Sequence, residues 1–342
     1  MLSKAKDLRF NACVLRNNNW KSALFSIFFK CAIKRRFLED VMLNNREWEL
    51  INFAKGGKNQ FIGDDCAVWN EKSLVVTTDH FCENVHFDLS FMPAEAVGWR
   101  LMAANASDVI SMGSKPTHYL LNIAVPDGGF ENAKKMIAGI RNFAEKYGIA
   151  LLGGDTTAAE KFTLGVTMFG DKPEKPLLRS AARPGDFVYL AAETGLSLCG
   201  FKALKKGADG FEKSKKRFLY PDPFLHIPNK INELNAAIDI SDSLLSELRL
   251  LCALSDVSIK IDAGKIPVHE EVELCSRLFS IPLPNLLFGS GEEFILLFTA
   301  DHRIDNAFEI GTVTDKQGQQ LEIIYENSVI DADSIKLFSH FG

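Results

Sequence analysis

Aspartates recur where short apolar runs end or tight turns begin. They are Asp64 and Asp65 in Gly63-Asp64-Asp65, Asp79 after a β-branched run, Asp155 after two glycines, and Asp239 and Asp242 after Ala236–Ile238. Carboxylates gathered from separate loops repel one another unless a cation neutralises them, and magnesium is the hard, oxygen-seeking ion that joins carboxylates to phosphates. Clustering of these acids therefore implies a metal-assisted phosphate chemistry. Taken singly, each has an ordinary explanation: Asp65 can close an Asx-turn, Asp242 can cap a helix, and Asp155 can shape a Gly-Gly turn. No GxxxxGK[ST] loop and no GxGxxG before a lysine-bearing strand is present, so phosphate must be held in another way. The expected Gly153-Gly154-Asp155-Thr156-Thr157 turn offers backbone amides and hydroxyls for that role.

The elements that must position these acids alternate along the chain. The pattern predicts a helix near 46–55, a strand over 73–78 ending on Asp79, and a helix from Pro93 to about Met112. That helix is apolar nearly all round. At 100° per residue Asp108 falls on the side of Val97, Leu101 and Ala104, so it points with the buried stripe and needs a partner. Strands over 119–125, 149–152 and 162–169 and a helix over 131–147 complete a first α/β unit. The proline- and charge-rich stretch 171–186 reads as a linker. Beyond it, strands are expected over 187–191 and 236–238, then a helix with Leu244, Leu248 and Leu251 at helical spacing, and the turn Gly289-Ser290-Gly291-Glu292-Glu293 before a strand over 294–298. The expected organisation is an α/β (α+β) chain with a basic extension over 1–41, a first α/β domain over 42–175 bearing most of the magnesium-binding acids, and a second α/β domain over 176–342 that completes the site.

Composition limits the function classes. A chain of 342 residues, 46% hydrophobic with net charge −5, is an ordinary globular protein, and nucleic acid is not its expected partner. Seven cysteines without a CxxC pair fit reduced thiols in the cytoplasm, with no structural disulfide. Positions 1–36 carry nine lysines and arginines against one acid, Asp7. The apolar stretch 23–33 is broken by Lys30 and falls short of the roughly 20 residues that span a bilayer. The segment is either a basic amphipathic extension, for targeting or for contact with an anionic membrane, or a dispensable stretch ahead of a start at Met42.

In order, the segments IGDDCAV (62–68), TTDHFCENVHF (77–87), ANASDVISMGSKP (104–116), LLGGDTT (151–157), AIDISDSLLSEL (237–248) and GSGEEFILLF (289–298) resemble thiamine-monophosphate kinase, a family of the aminoimidazole-ribonucleotide-synthetase-like (PurM-like) ATP-binding superfamily. The likeness spans about residues 42–342. It implies ATP-dependent phosphorylation of thiamine monophosphate to thiamine diphosphate, the last step of thiamine diphosphate biosynthesis, by direct in-line transfer with several Mg2+ ions; a potassium requirement is left open. The acceptor is a phosphate oxygen already ionised at neutral pH, so positioning and charge neutralisation dominate and no general base is needed. Matched motif by motif, Asp64, Thr77, Thr78, Asp79, Asp108, Asp155, Asp239 and Asp242 are implied magnesium ligands. Tyr147, Gly154, Asp155, Arg179 and Ser241 are implied ATP contacts, and His86, Glu292 and Phe338 implied contacts of the thiamine substrate. The superfamily also implies a homodimer whose N-terminal sheets pair into a shared barrel.

Three positions depart from the family pattern: Ser243 replaces a glycine of DxSDG, Glu293 replaces an aspartate and Phe294 a frequent tyrosine. A serine restricts the backbone after Asp242 if φ > 0 is required there. Sister enzymes of the superfamily, such as selenophosphate synthetase or a hydrogenase-maturation dehydratase, would need a reactive cysteine in an N-terminal glycine- and lysine-bearing loop or a C-terminal cysteine, and the chain has neither. The rival of another class is a non-catalytic nucleotide- or thiamine-binding protein, or a scaffold tethered by the basic N-terminus; acids at every cluster speak against it.

Overall fold

The computed structural model describes residues 50, 51, 53, 54, 61–225, 227, 231–318 and 320–337. The basic segment 1–41, most of the helix expected near 46–55, and Phe338 lie outside the described residues. Two sheets carry the chain. The first has the order β1-β2-β5-β3-β4, with β1 (Ala67–Trp69), β2 (Leu74–Cys82), β3 (Pro116–Val125), β4 (Ala150–Ala158) and β5 (Thr163–Asp171). The second has the order β12-β11-β8-β10-β6-β9-β7, built from β6 (Phe187–Leu190), β7 (Ala237–Asp239), β8 (Ser258–Asp262), β9 (Leu296–Ala300), β10 (Phe308–Thr314), β11 (Leu321–Tyr325) and β12 (Ser328–Val329).

Helix α1 (Ala94–Ser111) packs on one face of the first sheet beside α2 (Phe130–Tyr147) and also touches β7 of the second sheet. This double burial explains why α1 is apolar nearly all round: a helix between two sheets has no solvent face to keep polar. Its C-terminal Ile110 packs with Tyr189, Leu296 and Phe298 of the second sheet, while Val97, Leu101 and Met102 fill the core of the first. Of the remaining described helices, α3 (Leu196–Lys206), α5 (Leu244–Ser255), α6 (Glu270–Phe279) and α7 (Leu283–Gly289) contribute to the core of the second sheet, where Leu244, Leu248 and Leu251 of α5 enter as their spacing predicts, while α4 (Glu212–Leu219) packs on α3 and sends Phe218 into the core of the first sheet.

Two sequence expectations change. The strand expected to end on Asp79 runs on to Cys82, so Asp79 sits inside β2, paired with Val166 of β5. The expected Gly153-Gly154-Asp155 turn is strand: β4 pairs in parallel with β3, Gly154 opposite Leu121. A Cβ on Gly154 would come 1.7 Å from the Leu121 carbonyl oxygen, so glycine serves close backbone approach there and not a turn. The described cysteines, Cys66, Cys82, Cys199, Cys252 and Cys275, are all free thiols. Among the described residues no helix is long and apolar enough to cross a membrane.

Candidate active site

Strand alternation decides which acids meet. Thr77, Asp79 and Phe81 of β2 share the face that looks at α1, and the backbone N–H of Asp79 donates to Asn105 Oδ1 of α1 at 3.2 Å. Asp108, one turn further along α1, accepts from Thr77 Oγ1 at 2.6 Å, which places it on the buried side as its helical phase predicts. Ser107 donates to Asp239 Oδ2 at the end of β7, at 2.5 Å, and Ser111 donates to Asp65 Oδ2. One face of α1 therefore holds acids from three separate segments. Carboxylate oxygens of Asp65, Asp108 and Asp239 lie within 4.8 Å of one another.

This concentration of charge has electrostatic consequences. Burial pushes the Asp79 carboxyl up to about 6. Burial, reinforced by Asp65 and Asp79, lifts Asp239 to about 8, and burial with the charges of Asp79, Asp239 and Asp65 carries Asp108 well above the usual carboxylate range. Asp239 Oδ1 is buried without a hydrogen-bond partner among the described residues. A divalent cation fits this donor set: it would replace the protons that the acids otherwise need and would occupy the bare oxygen. Arg179 offsets part of the charge at the rim. Its Nε donates to Asp65 Oδ1 at 2.7 Å, and its backbone N–H donates to Asp64 Oδ1 at 2.9 Å. Burial disfavours the guanidinium charge, but Asp65, Glu247 and Asp239 together outweigh it and the Arg179 pKa is raised.

The acids open into a cavity of about 560 Å3 whose lining includes Asp79, Asp108, Asp239, Ser241 and Asp242. Around the rest of its wall stand His86, Phe81, Phe91, Phe201, Phe218, Phe294 and Glu292. His86 stacks on Phe81 with centroids 5.2 Å apart, and its Nδ1 accepts from the Cys82 N–H at 3.0 Å. An accepting Nδ1 puts the proton of the neutral ring on Nε2. Glu292 belongs to a loop bound back to the β7–α5 connection: its N–H donates to Ser241 O at 2.6 Å and the Phe294 N–H to Ile240 O at 3.0 Å. Both residues hold positive φ, 54° and 50°, a strained backbone for side chains of their size. Gly291 admits no side chain, since a Cβ would lie 2.2 Å from Asp242 O.

The departures from the family pattern find physical explanations. Ser243 has φ −178°, extended backbone open to any residue, and its Oγ caps α5 by accepting from the Ser246 N–H at 3.1 Å. The cap expected of Asp242 is thus made by Ser243, which leaves Asp242 at the cavity. Glu293 is buried, and its Oε1 accepts from the N–H groups of Gly195 and Ser197 at 2.8 and 3.0 Å, so it caps α3 from a distance and ties the Glu292 loop to that helix.

Other expected residues stand apart within one chain. Asp155 pairs with Asn122, which pairs with Gly165, which pairs with His80. That row alternates with the Asp79 row, so Asp155 lies on the opposite face of the sheet, three strands or about 14 Å away. Thr78 shares that outer face, its Oγ1 donating to Val166 O at 3.0 Å. Tyr147 ends α2 with its ring 4.0 Å from Phe224, and neither it nor Gly154 lines the cavity. Sequence reasoning counted Asp65 in the acidic cluster without carrying it over as a ligand, and it passed over Glu247, which accepts from the Asp242 N–H at 3.2 Å. The acidic doublet at 64–65 was the available signal for the first; Glu247 lies on a helix face that periodicity assigns to the core.

Residues 63–171 match the model of the family described as AIR synthase related protein, N-terminal domain. The chain is 32% identical over 286 residues to the thiamine-monophosphate kinase of Aquifex aeolicus, covering 80% of this chain and 92% of that one. It is 34% identical to the enzyme of Pyrococcus horikoshii, covering 75% and 83%. A solved structure described as AaThiL complexed with AMPPCP and TMP superposes with a TM-score of 0.75 at 28% identity, covering 86% of this chain and 97% of that one. The two-sheet architecture is accordingly the PurM-like fold, and with relatives this similar along nearly their whole length the chain belongs to the thiamine-monophosphate kinase family, a family of ATP-dependent kinases.

Proposed function

We propose that this chain transfers the γ-phosphoryl group of ATP to thiamine monophosphate with Mg2+, giving thiamine diphosphate and ADP as the last step of thiamine diphosphate synthesis. The observation that carries the reading is that one cavity is lined both by aspartates and by an aromatic wall with Glu292 and His86; in this reading the acids form its phosphate end and the aromatic wall its acceptor end. The acidic end suits polyphosphate only in company with cations. Asp65, Asp108 and Asp239, with Asp79, Asp242 and Asp64, would hold magnesium, which supplies charge neutralisation for the transferring phosphoryl group when bound. The aromatic end suits a flat cationic heterocycle. His86 Nε2–H is a donor and Glu292 an acceptor for its polar edges.

The residues' own work is positional. Ser107, Ser111 and Thr77 fix three carboxylates on one face of α1, so the acids are aligned before substrate arrives. Ser241 and Asp242 are held at the cavity wall by Glu247 and by the Glu292 loop. Attack by an ionised phosphate oxygen leaves no proton to remove, so no side chain need act as general base.

The reading includes a homodimer. Among the described residues β4 is an edge strand with Leu151 and Leu152 57% and 59% exposed, and no described element covers the sheet face bearing Asp155 and Thr78. Pairing of two such sheets would cover that face and offers Asp155, Gly154 and Tyr147 a role in the site of a partner. The test of the reaction is turnover of ATP and thiamine monophosphate by wild type and Asp79→Asn. Thiamine diphosphate formed by the wild type, lost on chelation and lost in the variant while thiamine monophosphate still binds, supports it; ATP binding without product in the folded wild type overturns it.

A further inference from the structure

We propose that Arg100 is a positioning residue for the acceptor: it aims the Glu292 carboxylate and the Phe218 ring into the aromatic end of the cavity. This rests on the reading of that end as the acceptor site. Arg100 lies on α1 with its side chain wholly buried, a costly place for a charge that must be repaid by partners. Those partners are few and all belong to one wall. Nη1 donates to Phe218 O at 2.5 Å, the guanidinium carbon sits 4.1 Å over the Phe218 ring, and Nη2 lies 2.5 Å from Glu292 Oε1. Nη2 and Nε lack a well-aligned hydrogen bond among the described residues. A core arginine selected for stability alone would be fully satisfied or replaced by an apolar residue.

The other end of the pair points the same way. Glu292 keeps about a third of its side chain open to the cavity, at 35% exposure, while its backbone is held at positive φ by the bond to Ser241. Backbone strain fixes where the side chain starts, and Arg100 fixes where the carboxylate ends. Because Phe218 and Glu292 both line the cavity and both rest on one guanidinium, Arg100 sets the gap between carboxylate and ring. Among the described residues it forms no hydrogen bond or ion pair with Asp79, Asp108, Asp239 or Asp242. Its influence should therefore fall on the acceptor and spare ATP.

Steady-state kinetics of Arg100→Met, Arg100→Lys, Glu292→Gln and the double variant Arg100→Met/Glu292→Gln test this. The expected result is a rise of about tenfold or more in KM for thiamine monophosphate in Arg100→Met, with KM for ATP within about twofold of wild type. Arg100→Lys should recover part of the loss, and the double variant should be little worse than either single one, as for residues acting through one contact. If Arg100→Met does not fold, Arg100→Lys carries the same split alone, because lysine keeps the charge and loses the fork. Equal rises in both KM values, an unchanged acceptor KM in a folded variant, or additive losses overturn the proposal. A wild type that never phosphorylates thiamine monophosphate overturns the reading of the site instead, so the two failures are distinct.

Discussion

Replacing Asp239 by asparagine should make the metal-free protein more stable and the magnesium-bound protein relatively less so. The carboxyl is buried beside Asp65 and Asp79, and its pKa is carried from 3.8 to about 8. An acid whose folded pKa is raised favours the folded state only below its unfolded value; as pH rises from 3.8 towards 8 the unfolded chain ionises while the folded one must keep its proton, and stability is lost. At pH 7 that loss spans roughly three pH units at about 1.4 kcal/mol each, or about 4 kcal/mol as an upper figure. Asparagine needs no proton and keeps an oxygen for the Ser107 hydroxyl. The variant in EDTA should melt higher by several degrees, at roughly 2 °C per kcal/mol for a chain of this size. Near pH 5 the gap should shrink below about 2 kcal/mol, because little of the ionisation window remains. Added magnesium should raise the melting temperature of the wild type and barely move the variant. Calorimetry with EDTA and with magnesium at both pH values measures all four quantities. A variant that melts lower in EDTA and keeps the full magnesium shift would show Asp239 to be a structural hydrogen-bond acceptor and would refute the cation site.

Magnesium affinity, followed by isothermal titration, should rise between about pH 6 and pH 8 with release of protons, since Asp79 and Asp239 lose theirs on binding; a flat profile would remove these acids from the metal site. Gly291→Ala should cost about 1–3 kcal/mol of stability, because the new Cβ would overlap Asp242 O and Ser241 O, and should lower kcat/KM by about tenfold or more through the displaced loop. Wild-type kinetics in that variant would mean that the loop does not position the site. Under the proposed homodimer, Asp155→Asn and Asp239→Asn should each be inactive and regain part of the wild-type rate when mixed and allowed to exchange subunits. No recovery in mixed dimers would confine Asp155 and Asp239 to the same chain's site.

Much of this was legible in the residues, and the gaps have physical causes. The phase of Asp108 on an apolar helix predicted a buried acid in need of a partner, and Thr77 supplies one. Periodicity alone could not tell that α1 is buried by a second sheet, which is what brings Ser107 to Asp239 from 132 positions away. Asp65 belongs to the acidic cluster that the sequence shows, but a turn role explains a lone acid as well, because turn chemistry is local and common, whereas its pairing with Arg179 spans 114 positions. Glycines at 153–154 suggested a turn, but the same lack of a side chain serves a close strand pair, and sequence does not separate the two uses. Arg100 left no trace at all: an arginine in an apolar helix marks a buried charge only once its partners, Glu292 and Phe218, are folded against it.

The most direct measurement is phosphorus NMR of the folded protein incubated with ATP and thiamine monophosphate, with magnesium and with EDTA. The account predicts thiamine diphosphate and ADP appearing in equal amounts with magnesium and neither with EDTA. Release of inorganic phosphate from ATP with thiamine monophosphate left intact would contradict it.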